Sequence, residues 1–124
     1  MASTQRAADE GDFAVGNAAE SGRAGGWFVG PFLERAGIRR TDRVELKWGV
    51  HRAGERRDGI SDGAGVGSAA VLVTGSFVME FPTKRRHVLL SRCGDYVLYG
   101  PGVAHSWHAV TDSTVLTVRW PADG

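Results

Sequence analysis

The chain has only one cysteine, Cys93, and this scarcity rules out a disulfide framework. A single thiol cannot form an intrachain disulfide, and proteins without disulfides are typical of reducing compartments. We therefore predict a cytoplasmic location. No general base is evident beside Cys93, so we interpret it as a structural residue and not as a nucleophile.

Long apolar runs and blocks of like charge are also missing. No apolar stretch approaches the roughly 20 residues of a membrane span, and the formal net charge is +1 at pH 7. The arginine pairs are interleaved with acidic residues, which is typical of solvated turns. We therefore expect neither nucleic acid nor a membrane as a partner. A length of 124 residues suffices for one domain with one core.

The sequence contains no convincing helical periodicity. Short runs of β-branched and aromatic residues alternate instead with turn-forming residues, which predicts an all-β fold built as an antiparallel barrel or sandwich. The predicted strands are 26–30, 44–51, 70–74, 77–81, 87–90, 96–99, 106–110 and 113–120.

The two ends of the chain differ in composition. Residues 1–25 are rich in small and polar residues and bury too little apolar surface to fold alone, so we predict a disordered or loosely docked tail. Residues 26–121 are predicted to form a single β-barrel domain. Within it, residues 53–68 form a long polar loop, and loops of this length are usually functional or disordered.

The strand predicted over residues 44–51 alternates strictly between two faces. One face is apolar and contains Val44, Leu46, Trp48 and Val50. The other contains Glu45, Lys47, Gly49 and His51, and it lines the interior or meets water. His51 therefore points away from the face that carries Trp48.

The stretch 94–107, G-D-Y-V-L-Y-G-P-G-V-A-H-S-W, combines two turns, two strands and a histidine. It resembles the second motif of the cupin superfamily, G-x-x-x-x-x-P-x-G-x-x-H. Gly94, Gly102 and His105 match that motif in register, whereas Gly100 replaces the proline and Pro101 follows it. The resemblance implies a jelly-roll β-barrel and identifies His105 as a metal ligand. The segments W-G-V-H, H-S-W and V-R-W-P are also similar to small single-domain bacterial cupin-like proteins.

The first cupin motif, G-x-x-x-x-x-H-x-H-x-x-x-E, is only partly present. His51 matches the second histidine and Glu55 the glutamate, but Gly49 replaces the first histidine and Arg43 the leading glycine. The resemblance thus implies a divalent metal, Fe, Zn, Mn or Ni, held by His51, Glu55 and His105. Four residues of straight strand span ~13 Å, so this site requires the chain to bend at residues 53–54.

Other residues near this site are candidates for chemistry or binding. Lys47, Glu45 and Tyr99 are predicted to act in acid/base catalysis or substrate orientation. Trp107 shares the strand face of His105, and together with Trp48 it is a candidate substrate-binding wall. His108 lies on the opposite strand face and is predicted to be outside the barrel.

Two functions of different classes remain open at this point. The first is a metal-dependent enzyme of the oxygenase, isomerase or lyase type that acts on a small molecule. The second is a metal-free barrel that binds a small molecule, or a metal-free cyclase or isomerase, in the same pocket. The cupin resemblance and the aromatic strand at residues 27–29, which would leave an exposed sheet edge, also predict a homodimer.

Overall fold

The computed structural model describes residues 8, 9, 11–34, 37–63 and 65–121. Residues 1–7 and 10, part of the predicted tail, lie outside this set. The described elements are ten strands and three short 3₁₀ helices. The strands are β1 Ala8–Asp9, β2 Ala14–Val15, β3 Trp27–Val29, β4 Glu45–His51, β5 Val66–Thr74, β6 Phe77–Phe81, β7 Arg86–Leu90, β8 Tyr96–Tyr99, β9 Ser106–Ala109 and β10 Ser113–Pro121. The 3₁₀ helices are η1 Ala18–Glu20, η2 Gly22–Ala24 and η3 Pro82–Lys84.

Eight of the strands form two antiparallel sheets. The larger sheet has the order β3-β4-β10-β5-β8, and the smaller has the order β7-β6-β9. β1 and β2 pair separately. The predicted all-β antiparallel fold is therefore confirmed. No helix of the described residues is both long and apolar enough to cross a membrane.

The chain passes from the larger to the smaller sheet through the tight turn between β5 and β6. Gly75 in this turn has φ +99°, a conformation that side chains with a Cβ rarely adopt. Ser113 closes the turn because its hydroxyl accepts from the Ser76 N–H at 3.1 Å. The Gly75-Ser76 turn, which the sequence would favour for a β-hairpin, instead joins strands of different sheets, so residues 70–81 do not form a hairpin.

The core lies where the inner faces of the two sheets meet. Leu72 of the larger sheet and Leu90 of the smaller are each 1% exposed, and they belong to one cluster of buried residues. The remaining members are Ala70, Phe77, Met79, Phe81, Ala109 and Val115. Most of these buried residues occupy alternate positions along their strands. The residues at the positions in between therefore lie on the outer faces of the sheets.

The described part of the N-terminal segment is docked on the larger sheet. The Trp48 N–H donates to the Gly26 carbonyl at 2.8 Å, and the Arg39 guanidinium donates to the Val15 carbonyl at 3.0 Å. Asn17 caps η1 by accepting from the Ala19 N–H. The prediction for residues 1–25 as a whole stays a prediction.

Residues 54–61 of the predicted polar loop run along the edge of β9, whereas its last residues, 66–68, belong to β5 and not to the loop. Backbone hydrogen bonds join Ser61 to His105 in both directions at 2.8 and 2.9 Å, and the Arg57 N–H donates to the Trp107 carbonyl at 3.0 Å. A bridge also pairs Arg56 with His108. The loop thus acts as an irregular fourth strand of the smaller sheet.

Candidate functional site

A cavity of about 200 Å³ lies between the two sheets. The smaller sheet contributes Phe77, Met79 and Trp107 to the wall. The polar side chains of the wall come from the larger sheet, from residues 57–63 and from His105. A second, more open groove of about 510 Å³ lies between β4 and the 3₁₀ helices of the N-terminal segment. Both are lined by Lys47, Gly49, His51 and Trp107, so the groove is adjacent to the cavity.

The polar face of β4 is the face that lines the cavity. Lys47, Gly49 and His51 all contribute to its wall, while Val50 on the apolar face is 67% exposed. The sequence left open whether this polar face lines the interior or meets water, and in the structure it lines the interior. Trp48 lines only the outer groove, because adjacent strand residues point to opposite faces. Trp48 therefore shares the outer groove but not the interior cavity with Trp107, and its predicted role in substrate binding stays a prediction.

Three cationic side chains lie at the cavity wall: Lys47 of β4, Arg57 of the loop and Arg119 of β10. Burial lowers the pKa of Lys47 below its usual 10.5, and the positive charges of Arg119 and Arg57 lower it further. The three groups are therefore close enough to interact electrostatically.

Glu45 holds one of these cations in place. Its carboxylate accepts from the Arg119 Nε at 2.7 Å, and both residues are mostly buried. The Arg119 guanidinium carbon also lies 4.3 Å from the centroid of the Trp27 ring. Glu45 does not line the interior cavity, so in this structure it positions Arg119 and does not face a substrate.

The chain bends between His51 and Glu55 as the first motif requires. Gly54 has φ +86°, and the two side chains meet at 3.1 Å between Nδ1 and Oε1. Burial lowers the pKa of His51, although the hydrogen bond and negative charge of Glu55 act in the opposite direction. A Cβ at Gly49 would lie 2.9 Å from the His51 Nε2. The imidazole thus occupies space next to the position where the cupin motif has its first histidine.

His105 and Tyr99 pack against each other on the opposite side of the cavity. Their ring centroids are 4.5 Å apart, and the His105 Nδ1 lies 2.9 Å from the Val103 carbonyl. This contact orients the ring with Nδ1 as the donor. Burial raises the pKa of Tyr99, while a hydrogen bond with Ser68 lowers it. Tyr99 therefore remains a protonated hydrogen-bond donor at neutral pH.

An aromatic cluster continues the wall from His51. The Trp107 ring lies 4.3 Å from the His51 ring and 5.2 Å from the Phe77 ring, measured between centroids, and it is stacked on Phe77 at 28°. Trp107 is therefore placed as predicted, on the cavity. His108 points to the outer face, where its Nδ1 meets the Glu80 carboxylate at 2.6 Å.

The metal-ligand set implied by the cupin resemblance is not assembled in this structure. Among the described residues, no group of three or more His, Cys, Asp and Glu side chains could hold a metal ion. His51 and His105 line the same cavity, but Glu55 lines only the outer groove, and it binds the Nδ1 of His51. The residues present therefore do not fit a three-ligand site, and we derive no chemistry from a metal.

Among the site residues that sequence reasoning missed are Trp27, Arg57 and Arg119. Arg57 was interpreted as part of a solvated turn, and it is indeed exposed, but it lies at the cavity wall. For Arg119 the alternation of β10 was an available signal, because it places Val115, Thr117 and Arg119 on one face. The register that pairs Arg119 with Glu45 could not be read from the sequence.

The fold has close counterparts among solved structures. A cupin superfamily protein from Desulfitobacterium hafniense matches with a TM-score of 0.59 at 15% identity, covering 66% of this chain and 71% of that one. A cupin protein from Bacteroides fragilis matches with a TM-score of 0.60 at 15% identity, covering 68% and 70%. KdgF from Halomonas sp. matches with a TM-score of 0.58 at 20% identity, covering 65% and 71%.

Sequence comparisons add nothing to this structural match, since no protein-family profile and no curated protein matches the chain. At these levels of identity the likeness concerns the fold and not the activity. It agrees with the motif at residues 94–107. In the structure the predicted strand of this motif is β8, a turn follows β8, and His105 comes after that turn. The protein therefore has the fold of the cupin superfamily.

Proposed function

We propose that this protein binds a small organic molecule in the cavity between its two sheets. The observation that carries the proposal is the composition of the wall, which is aromatic on one side and polar on the other. Ligand pockets characteristically combine apolar surface with a few placed polar groups. Cavities of about 150 Å³ already accept benzene, so about 200 Å³ is enough for a small ring or chain.

The side chains around the cavity divide into two roles. Trp107 and Phe77 offer a stacked aromatic surface for the body of the ligand. Tyr99 donates a hydrogen bond, and Lys47, with its lowered pKa, loses its proton more readily than an exposed lysine. If the bound molecule is a substrate, these two are the groups that would exchange protons with it, as the sequence predicts.

Filling the cavity tests the proposal. Thr117→Phe adds a ring to the cavity wall, whereas Thr114→Phe adds the same ring to the same strand on the opposite face. We expect Thr117→Phe to abolish binding of small aromatic probes measured by isothermal titration calorimetry, and Thr114→Phe to retain it. Equal binding by wild type and a folded Thr117→Phe variant would contradict the proposal.

The metal-dependent enzyme is the second candidate, and one observation favours it: His51 and His105 line the same cavity. Elemental analysis of protein purified without a His-tag or chelator separates the two functions. The binding-barrel proposal expects far less than one metal per chain. Stoichiometric metal that is lost in His105→Ala and His51→Ala, but not in His108→Ala, would establish the metal site instead.

We further propose a homodimer. The strand predicted to leave an open edge, β3, is the edge strand of the larger sheet, where it pairs with β4. An unpaired strand edge is a template for pairing with another chain. Light scattering at micromolar concentration should show a dimer, and a monomer would contradict this proposal.

A further inference from the structure

The cationic groups of the cavity are more numerous than the carboxylates that could neutralise them. Glu45 forms an ion pair with Arg119, and Glu55 binds His51. Within the described part of the chain, neither Lys47 nor Arg57 has a carboxylate within ion-pair distance. The acidic residue of the smaller sheet, Glu80, is engaged on the outer face by His108 and Arg56. The cavity is therefore left with an excess of positive charge.

The fold places the cationic side chains of the cavity close to one another. Lys47 and Arg119 lie on neighbouring strands, because β4 and β10 pair Lys47 with Thr117 and Glu45 with Arg119. Both cations contact one ring: the Lys47 Nζ lies 5.5 Å and the Arg119 Cζ lies 4.3 Å from the Trp27 centroid. Arg57 joins them from the loop, whose backbone is bonded to Trp107. The charges of Lys47 and Arg119 are thus positioned before any ligand enters, and the backbone of Arg57 is held beside them.

Clustered like charges that are half removed from water destabilise a folded protein unless a counter-charge is supplied. The pKa of Lys47 reports this repulsion, since burial lowers it first and Arg119 and Arg57 lower it further. An anion in the cavity would relieve the repulsion. Arginine and lysine are also the side chains that recognise carboxylate and phosphate groups, by paired N–H donors and by point charge respectively.

We propose that the ligand of the cavity is a small organic anion, whose carboxylate or phosphate group is bound by Lys47 and Arg57 beside the fixed Arg119, and whose apolar body contacts Trp107. This inference rests on the proposed small-molecule function and adds the chemical class of the ligand. Carboxylate and phosphate share the recognition chemistry, and the choice between them is left to the experiment.

The test compares three probes of similar shape by isothermal titration calorimetry: benzoate, phenyl phosphate and the neutral benzyl alcohol. Wild type should bind one or both anions more tightly than it binds benzyl alcohol, by about tenfold or more. This difference is expected because the anion gains hydrogen bonds to charged groups. The tighter anion identifies the preferred group. Added salt should weaken anion binding and leave benzyl alcohol unaffected.

Two variants and one matched control locate the anion group. Lys47→Met and Arg57→Gln should each weaken anion binding at least about tenfold while benzyl alcohol binding is unchanged. Arg56→Gln alters the adjacent arginine, whose side chain is 68% exposed and faces Glu80, and it should bind as wild type does. Thermal melting at or above the wild-type temperature shows that Lys47→Met is folded.

The outcomes separate this inference from the proposed function. If benzyl alcohol binds as tightly as the anions, and Thr117→Phe abolishes all binding, the cavity is a ligand site and the anion inference is wrong. If Arg56→Gln weakens binding as much as Arg57→Gln, the inference is also wrong. If a folded Thr117→Phe variant binds every probe like wild type, the proposed function fails and the inference fails with it.

Discussion

The two sheets that enclose the cavity contribute different chemistry. The larger sheet supplies charged and polar side chains, among them Lys47, His51 and Arg119. The smaller sheet supplies only apolar surface, from Phe77, Met79 and Trp107. The same antiparallel strand geometry thus forms a polar wall on one side and an apolar, packed wall on the other.

The difference shows how a small two-sheet fold combines stability with a polar site. Phe77 and Met79 are 2% and 3% exposed and belong to the hydrophobic core, so the smaller sheet serves both the core and the cavity. Lys47 and His51, opposite them, are only half-buried. We therefore expect substitutions on the smaller sheet to affect folding and substitutions on the larger sheet to affect binding and pH dependence.

The largest effect is expected for Phe77→Ala. Phe77 is buried and packs on both Trp107 and His51, so its loss leaves a cavity in the core. Truncations of this kind cost about 3–5 kcal/mol in the free energy of unfolding, which urea denaturation measures. Thr117→Ala on the opposite wall is the comparison, and we expect it to cost less than about 1 kcal/mol. Similar losses in the two variants would remove the contrast between the sheets.

The turn between β5 and β6, which joins the two sheets, should be the next most sensitive place. Gly75→Ala places a Cβ 2.6 Å from the Ser113 Cα at a φ of +99°, and neither feature can be relieved by a flexible side chain. Backbone strain of this type costs about 1–3 kcal/mol. Gly100→Ala, where nothing lies within 4 Å, is the matched control. Equal melting temperatures for the two variants would contradict the prediction.

A smaller effect is expected for Lys47→Met in the absence of ligand, and unlike the two substitutions above it should not lower the free energy of unfolding at neutral pH. Because the pKa of Lys47 is lowered in the folded protein, the unfolded chain binds more protons between that lowered pKa and 10.5. Wild-type stability should therefore rise with pH across this window, and the Lys47→Met variant should be at least as stable at neutral pH. Urea denaturation between neutral pH and pH 10.5 checks both, and a variant less stable than wild type at neutral pH would contradict them.

The smallest effect is expected for His51. It appears in the pH dependence of the free energy of unfolding below pH 6.5. Burial lowers the pKa of His51, so the folded state binds this proton less tightly than the unfolded chain does. Its contribution to stability is therefore complete above 6.5 and decreases as pH falls toward the lowered value. His51→Gln should flatten this slope in thermal melting. The same substitution at the exposed His87 is the control, and equal changes in both variants would count against the prediction.

The fold was largely accessible from the sequence because its signals are local. The alternation of β4 and the motif at residues 94–107 depend on neighbouring residues, and both are present as predicted. The bend at residues 53–54 was also derived correctly, from the distance that His51 and Glu55 must cover. Signals of this kind require no knowledge of which strands pair.

The site was less accessible because it depends on register between distant strands. Arg119 reaches the cavity beside Lys47 only because β10 pairs with β4 at those residues. The same is true of Trp27, which β3 places opposite Lys47. The apolar face of β4 was a further difficulty, because hydrophobic alternation normally identifies the buried face, whereas here the polar face is turned inward.

The loop along β9 has a consequence for aggregation. By bonding to residues 105, 107 and 109, it covers a strand edge that would otherwise be open to pairing with other chains. The same loop carries Arg57 and Ser61 at the cavity wall, so movement of the loop away from β9 would open the cavity and expose that edge together. A ligand that contacts Arg57 would hold the loop closed, and saturating ligand should therefore slow the formation of β-rich aggregates on prolonged incubation.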